Sequence, residues 1–374
     1  MNTLTGLIPT IYASMQVVSR ELIGFIPAVT MDANLAERAA IGQTIRSPIA
    51  PTAVVNDVVA SMALPDGDDQ ALDYVDMQIT ASKAVQIPYP GEDQLALGPN
   101  NTSVFGQQLE QSFRSLANMI EAEVAGHYKE SSRAYGTPGT IPFAAGVGDA
   151  AQIRKILVDN GARGDLRLVV GTGAGANLRS NTQLTKANEA NTDETLRSGT
   201  LLDLAGIKIH ESAAVITHTP GTAAGWQINN APGYAVGDNA LAVDTGTGAF
   251  ALGDLITIGG GSNAYSVNAA GVGSVTIGKP GLRNAIADDA AVAVLPEYEA
   301  NFAFDRSAVQ LAVRAPALPD GGDAAVDRTM VVDPVSGLTF EISVYVGYKK
   351  KVIEVAAAWG SKVIQPEHTA ILAG

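Results

Sequence analysis

TSVFGQQLEQSFRSLANMIEAEVAGHYKESSR, residues 102–133, carries the clearest structural signal in the chain. Phe105, Leu109, Phe113, Leu116, Ile120, Val124 and Tyr128 recur at steps of four, four, three, four, four and four. That spacing draws one continuous apolar stripe down a helix. About 30 residues at a rise of 1.5 Å make a rod of about 45 Å. Thr102 or Ser103 is expected to cap its start, and Gly136 and Pro138 stop the chain beyond its end. The helix is longer than most globular helices, so it is expected to act as a spine under the other elements.

Working toward the N-terminus, residues 51–100 read as an extended hairpin. AVVNDVVASMAL and DYVDMQITASKAVQI are rich in β-branched residues and flank PDGDDQ, which is strong turn chemistry. Asp57, Asp66, Asp68, Asp69, Asp73, Asp76, Glu92 and Asp93 face only Lys83 in this stretch. Asp66-Gly67-Asp68-Asp69 lacks the alternating ligands and distal Glu of a calcium loop, so a solvated or partner-facing tip is expected. A two-stranded ribbon is marginal alone and needs a surface to lie on. Residues 1–50 read as an arm. Ile8, Ile11, Tyr12, Met15, Val18 and Leu22 suggest a short amphipathic helix near 9–23, packed on its own domain or on a neighbour, before Pro27, Pro48 and Pro51 keep the chain extended.

Toward the C-terminus, residues 140–219 read as α/β. Asp149 is expected to cap a helix bearing Ile153, Ile156 and Leu157, and Leu166–Val170 to form a buried strand. A second helix follows through Leu184, with a strand at Ile207–His210. Between 220 and 300, Gly and small residues alternate with short β runs, which suggests an inserted β domain. From Asn301 to Gly374 the chain is β-rich again. Overall the class is α+β, and residues 101–139 and 301–374 are expected to share one domain around the spine.

The composition excludes several functions. The 374 residues contain no Cys, which removes thiolate metal sites and cysteine nucleophiles. A net charge of -14 opposes a nucleic-acid binder that tracks phosphates, and Lys349–Lys350–Lys351 is the only dense basic run. No apolar run reaches the roughly 20 residues that span a bilayer, and no charged segment precedes the first apolar stretch as a signal peptide needs. Gly171-x-Gly173-x-Gly175 lies between a strand and a helix, as a dinucleotide fingerprint would, but Ala176 takes the third glycine's place. Asp193 or Glu194 stands where the ribose acid belongs, with no strand before it. His127, His210, His218 and His368 are scattered. The pairs Asp288–Asp289 and Glu297–Glu299 read as solvated acids rather than an acid/base couple. No catalytic, cofactor-binding or metal residue is assigned, and no cofactor is expected.

The order of parts is more telling than any motif. Arm, acidic hairpin, spine helix, α/β domain with a β insertion, and β return together resemble the major capsid proteins of tailed bacteriophages, with the Hong Kong 97-type fold. PTAVVNDVVASMALPDGDDQALDYVDMQIT resembles the extended loop of short-tailed-phage coat proteins that carry an inserted domain. GTLLDLAGIKIHES is similar to an axial-domain strand. NFAFDRSAVQLAVRAPALPDGG and DPVSGLTFEISVYVGYKKKVIEVAAAWGSKVIQPE resemble the family's C-terminal portion. The resemblance implies an arm (1–50), an extended loop (51–100), a peripheral domain (101–139 and 301–374), an axial domain (140–219) and an insertion (220–300).

It further implies a structural, non-enzymatic coat protein. Copies would assemble in the host bacterial cytoplasm as hexamers and pentamers of an icosahedral virion shell, with non-specific contact to packaged DNA and none to membrane. A separate scaffolding protein and a portal are the implied partners, with a decoration protein left open. Two alternatives stand beside this: a nucleotide-dependent enzyme using Gly171–Gly175, and a secreted surface-array protein.

Overall fold

The computed structural model describes residues 11–15, 24–32, 38–49, 57–58, 73–97, 101–185, 201, 203–333 and 336–374. The spine helix runs Asn101–Ala125 and tightens into a 3-10 turn at Gly126–Glu130. It therefore starts ahead of Thr102 and Ser103, which lie inside its first turn rather than capping it. All seven stripe residues are buried, and they share one core with Ile353, Val355, Ala357, Trp359 and Val363. Phe113 meets Phe340 with ring centroids 5.2 Å apart.

Those partners belong to a seven-stranded sheet. Lys350–Val363 is its backbone, paired antiparallel with Thr339–Gly347, Val309–Pro316 and Ala81–Pro90. Ala325–Val332 lies outside Thr339–Gly347, while Thr30–Asp32 and Arg38–Ala39 run parallel to Val309–Pro316. Odd-numbered residues of the long strand face the spine, as the two-residue period of a strand requires. The opposite face offers Ala312 and Ala358, a low floor on which Ala39, Met77 and Ile79 pack.

Of the two packings left open for the arm helix, the described part shows the one on its own domain. Residues 11–15 are helical, and Ile11, Met15, Phe25 and Ile26 are buried in the spine core. Ser14 Oγ donates to the Gly106 carbonyl on the helix. The hairpin is displaced. Thr44–Ile49 pairs with Asp73–Gln78, so a segment expected as extended chain in the arm is one side of the ribbon. Most of 53–64, where that strand is expected, lies outside the described residues, as do Asp66, Asp68 and Asp69.

A second sheet holds Tyr298–Asp305 between Thr369–Ala373 and Leu166–Val170, with Lys208–Glu211 parallel to the latter. The helices Gly148–Asp159 and Thr172–Ser180 cover it through Ile153, Leu157 and Leu178. Asp149 sits in the first turn of its helix rather than at the cap, accepting from the Phe143 amide at 2.7 Å. The second helix breaks at Asn181, and Thr182–Thr185 forms a separate turn.

The Gly-rich insertion closes on itself. Leu255–Ile258, Ala291–Val294, Trp226–Ile228, Ala240–Asp244, Ser274–Ile277 and Ala264–Gly271 pair in that order, all antiparallel. Pairing of Leu255–Ile256 with Tyr265–Ser266 returns the last strand to the first. Closure abolishes free edges. Ile228, Leu241, Val243, Ile256, Val267, Val275 and Ile277 fill the barrel. Strand Tyr298–Asp305, whose first residues lie in the expected insertion, belongs to the second sheet. The barrel joins that sheet where Ala264–Tyr265 pairs with Arg133–Ala134.

Candidate functional site

The Gly171 loop ends a strand and opens a helix, as its spacing predicts, but the chain itself occupies the place a phosphate would take. The Gly171 amide donates to Asn301 Oδ1 at 2.7 Å. A Cβ on Gly171 would lie 1.6 Å from Glu299 Oε1, and one on Gly175 would lie 2.7 Å from the Glu211 carboxylate. Both glycines are therefore close-packing residues. Burial pushes the Glu299 carboxyl above its ordinary range, and an anion brought beside it would meet repulsion. Asp193 and Glu194 lie outside the described residues.

The four histidines are not brought together. His127 bonds Glu130 and Ser361, and His368 bonds Gln365. His210 stands 2.9 Å from Arg167 Nη1, with burial first and that cation second holding its pKa down. His218 is buried, 2.8 Å from the Tyr128 hydroxyl on one side and 2.8 Å from Asp254 Oδ1 on the other. Asp254 also accepts from the Gly221 and Ala251 amides. This chain of bonds fastens the barrel to the end of the spine. It pushes Tyr128 up to about 12, by burial and then by Asp254. Asp288 accepts from the Asn230 amide, a turn role. Among the described residues, no group of three or more His, Asp or Glu could hold a metal ion, and no helix is long and apolar enough to cross a membrane.

A different arrangement emerges along Lys350–Val363. At one end the ribbon root crosses it. A Cβ on Gly360 would lie 2.1 Å from the Gln78 carbonyl, and Lys362 Nζ donates to the Asp76 carbonyl at 2.8 Å. Residues 81, 78 and 76 lie successively at 359, 360 and 362, so the ribbon leaves past the strand's C-terminal end. At the other end is the turn that carries Lys349, Lys350 and Lys351. Tyr348 is 89% exposed there, and the Gly91 amide bonds the Lys349 carbonyl to start the helix Gly91–Leu97, whose Leu95 is 85% exposed. Residues 350 and 362 are about 40 Å apart at strand rise. The acidic appendage and the basic, apolar turn thus stand at opposite ends of one strand.

The sheet is also open at both sides. Among the described residues, Ala81–Pro90 and Ala325–Val332 each pair along one side only. Pro88, Pro90 and Lys83 protect the first edge. A bulge between Ala325 and Asp327 and the Arg328–Asp323 ion pair protect the second.

No family model matches the chain, and no curated protein does. Among solved structures, the capsid of cyanophage P-SCSP1u matches with a TM-score of 0.50 at 12% identity, covering 93% of this chain and 87% of that one. The chain has a phage capsid fold. A Mycobacterium phage Che8 chain matches at 16% identity with a TM-score of 0.46, covering 93% and 90% of the two chains. The capsid of a native GTA particle matches at 9% identity with a TM-score of 0.47, covering 95% and 90%. The α+β capsid fold expected from the sequence is the one observed. Within the capsid fold, the residues that sequence reasoning missed are those joining distant segments: Glu121, Glu123, Asp254 and Gly360. An isolated helical glutamate or a strand glycine carries no signal of its partner.

Proposed function

We propose that this chain is the major capsid protein of a tailed phage, a structural protein whose hexamers and pentamers form an icosahedral shell around double-stranded DNA. The observation that carries this reading is a capsid fold over 93% of the chain, in a molecule whose acidic ribbon and basic turn lie at opposite ends of one strand. The described root of the ribbon lies at the far end of the strand from Lys349–Lys351, and in this reading the acidic ribbon of one copy meets the basic turn of the next. Such a head-to-tail contact closes into rings when the rotation closes. The ribbon rooted in Thr44–Ile49 and Asp73–Gln78 acts in this reading as the extended loop expected at 51–100, and the barrel is the insertion on the axial domain. Acidic copies repel while free, and salt screens them beyond about 8–10 Å.

A scaffolding protein and a portal are partners in the same proposal, and assembly takes place in the host bacterial cytoplasm. The enzyme reading has less support, since Asn301 and Glu299 fill the helix start that a nucleotide would need. Negative-stain microscopy of the purified chain, expressed with and without its neighbouring genes, tests the proposal. Closed shells or five- and six-membered rings are expected. Uniform small particles with the neighbours present would count against it.

A further inference from the structure

Two carboxylates of the spine helix point away from each other and hold different parts of the chain. Positions 121 and 123 are about 200° apart around a helix, so their side chains leave on nearly opposite sides. Glu121 is 3% exposed. Its Oε1 accepts from the Gly24 amide at 2.6 Å, the Phe25 amide at 2.7 Å and Ser212 Oγ at 2.8 Å, and its Oε2 accepts from the Ile26 amide at 3.0 Å. Four neutral donors thus converge on one buried charge. Three come from the root of the arm, nearly a hundred residues away in sequence, and one from the segment after strand Lys208–Glu211. Gly24 is wedged against the same segment, where a Cβ would lie 2.6 Å from the Glu211 carbonyl.

Glu123 serves the other appendage. Its Oε1 accepts from Thr80 Oγ1 at 2.6 Å, at the root of the ribbon, and from Ser361 Oγ at 3.3 Å. Its Oε2 accepts the Trp359 indole N–H at 2.8 Å.

We propose that Glu121 and Glu123 make the spine helix the common anchor of arm and ribbon, each carboxylate fixing one root before the chain meets another copy. The roots are then directed by the free subunit, and any rearrangement between free and assembled states carries spine, arm root and ribbon root together or breaks these bonds first. The chemistry favours a fixing role over a stabilising one. Burial pushes the Glu121 carboxyl up despite its four donors, so the charge costs more than the hydrogen bonds return. What it contributes is a defined geometry.

The test uses the full chain in the unassembled state, so it stands whether or not shells form. Glu121→Gln keeps the shape but sets an amide N–H₂ against one of the converging donors. Hydrogen exchange is expected to accelerate about tenfold or more over residues 24–28, as for loss of a charged acceptor. Exchange over 105–120 and 78–82 should stay unchanged. Glu123→Gln is expected to do the reverse, accelerating 78–82 and leaving 24–28 alone. Unchanged exchange at both roots overturns the proposal. So does equal acceleration along the whole spine, which would make both residues general core supports. If Glu121→Gln does not fold, Gly24→Ala provides the same reading: displacing the root by its added methyl must accelerate 24–28, and an unaffected root overturns the proposal.

Discussion

The barrel and the seven-stranded sheet are both antiparallel in the main, yet they end differently. The barrel returns its last strand to its first and fills its interior with its own residues. Among the described residues the sheet keeps two edges open, borrows its core from the spine helix and sends a ribbon off one end. One unit is complete within the chain. The other has backbone and surface left to be met by something else, and its edges carry proline, lysine and a bulge, so that edge-to-edge pairing is discouraged.

The contrast breaks most severely in the cores. Phe113→Ala should cost about 3–5 kcal/mol and Ile256→Ala about 2–5 kcal/mol. The first is expected to loosen the sheet and spine together, the second the barrel alone. Hydrogen exchange mapped along the chain distinguishes them, and identical maps would mean that barrel and sheet unfold as one unit. Gly360→Ala comes next, at about 1–3 kcal/mol, because its methyl would overlap the Gln78 carbonyl. It should lift the ribbon root and reduce ring or shell yield in microscopy while the barrel melts as before.

Charge changes sharpen the comparison at smaller cost. Converting Asp66, Asp68 and Asp69 to Asn should alter stability by less than about 0.5 kcal/mol, yet shift the salt dependence of assembly. Unchanged yield at every salt concentration removes the tip from the argument. Acidification should have the smallest effect, and its sign differs between regions. The Tyr345 hydroxyl and then Arg328 pull Asp323 down to about 2. Its contribution is present above the ordinary carboxylate value and is lost as pH falls toward 2. Glu121 is pushed up by burial, so its contribution is full below the ordinary value and is lost as pH rises through the folded one. Exchange at Ala325–Val332 should therefore quicken in acid, whereas Glu121 adds no acid lability at 24–28.

The sequence was most legible where the determining contacts repeat locally. Seven spine positions announce a buried face because a helix repeats its environment every turn. Leu166–Val170 is apolar but for Arg167, and all five residues are buried because both faces of its sheet are covered. The barrel's strands were legible as short β runs, but closure depends on Leu255 meeting Ser266, a pairing no run of residues encodes. The pairing of Thr44–Ile49 with Asp73–Gln78 is not legible because Pro48 marks extended chain as readily as an edge strand. Glu121 was invisible: a glutamate on a helix reads as solvated until the arm root is laid across it.

The two-residue turn at Val272–Gly273 carries a practical consequence. Val272 is fully exposed and Gly273 has φ +71°, so local geometry turns this corner while the Val243 amide holds its base through the Gly273 carbonyl at 3.0 Å. A foreign peptide spliced there would hang from a unit that already holds itself together, leaving spine, arm and ribbon untouched. In a closed shell every copy would present it, turning a barrel corner into a regularly spaced display of the grafted epitope.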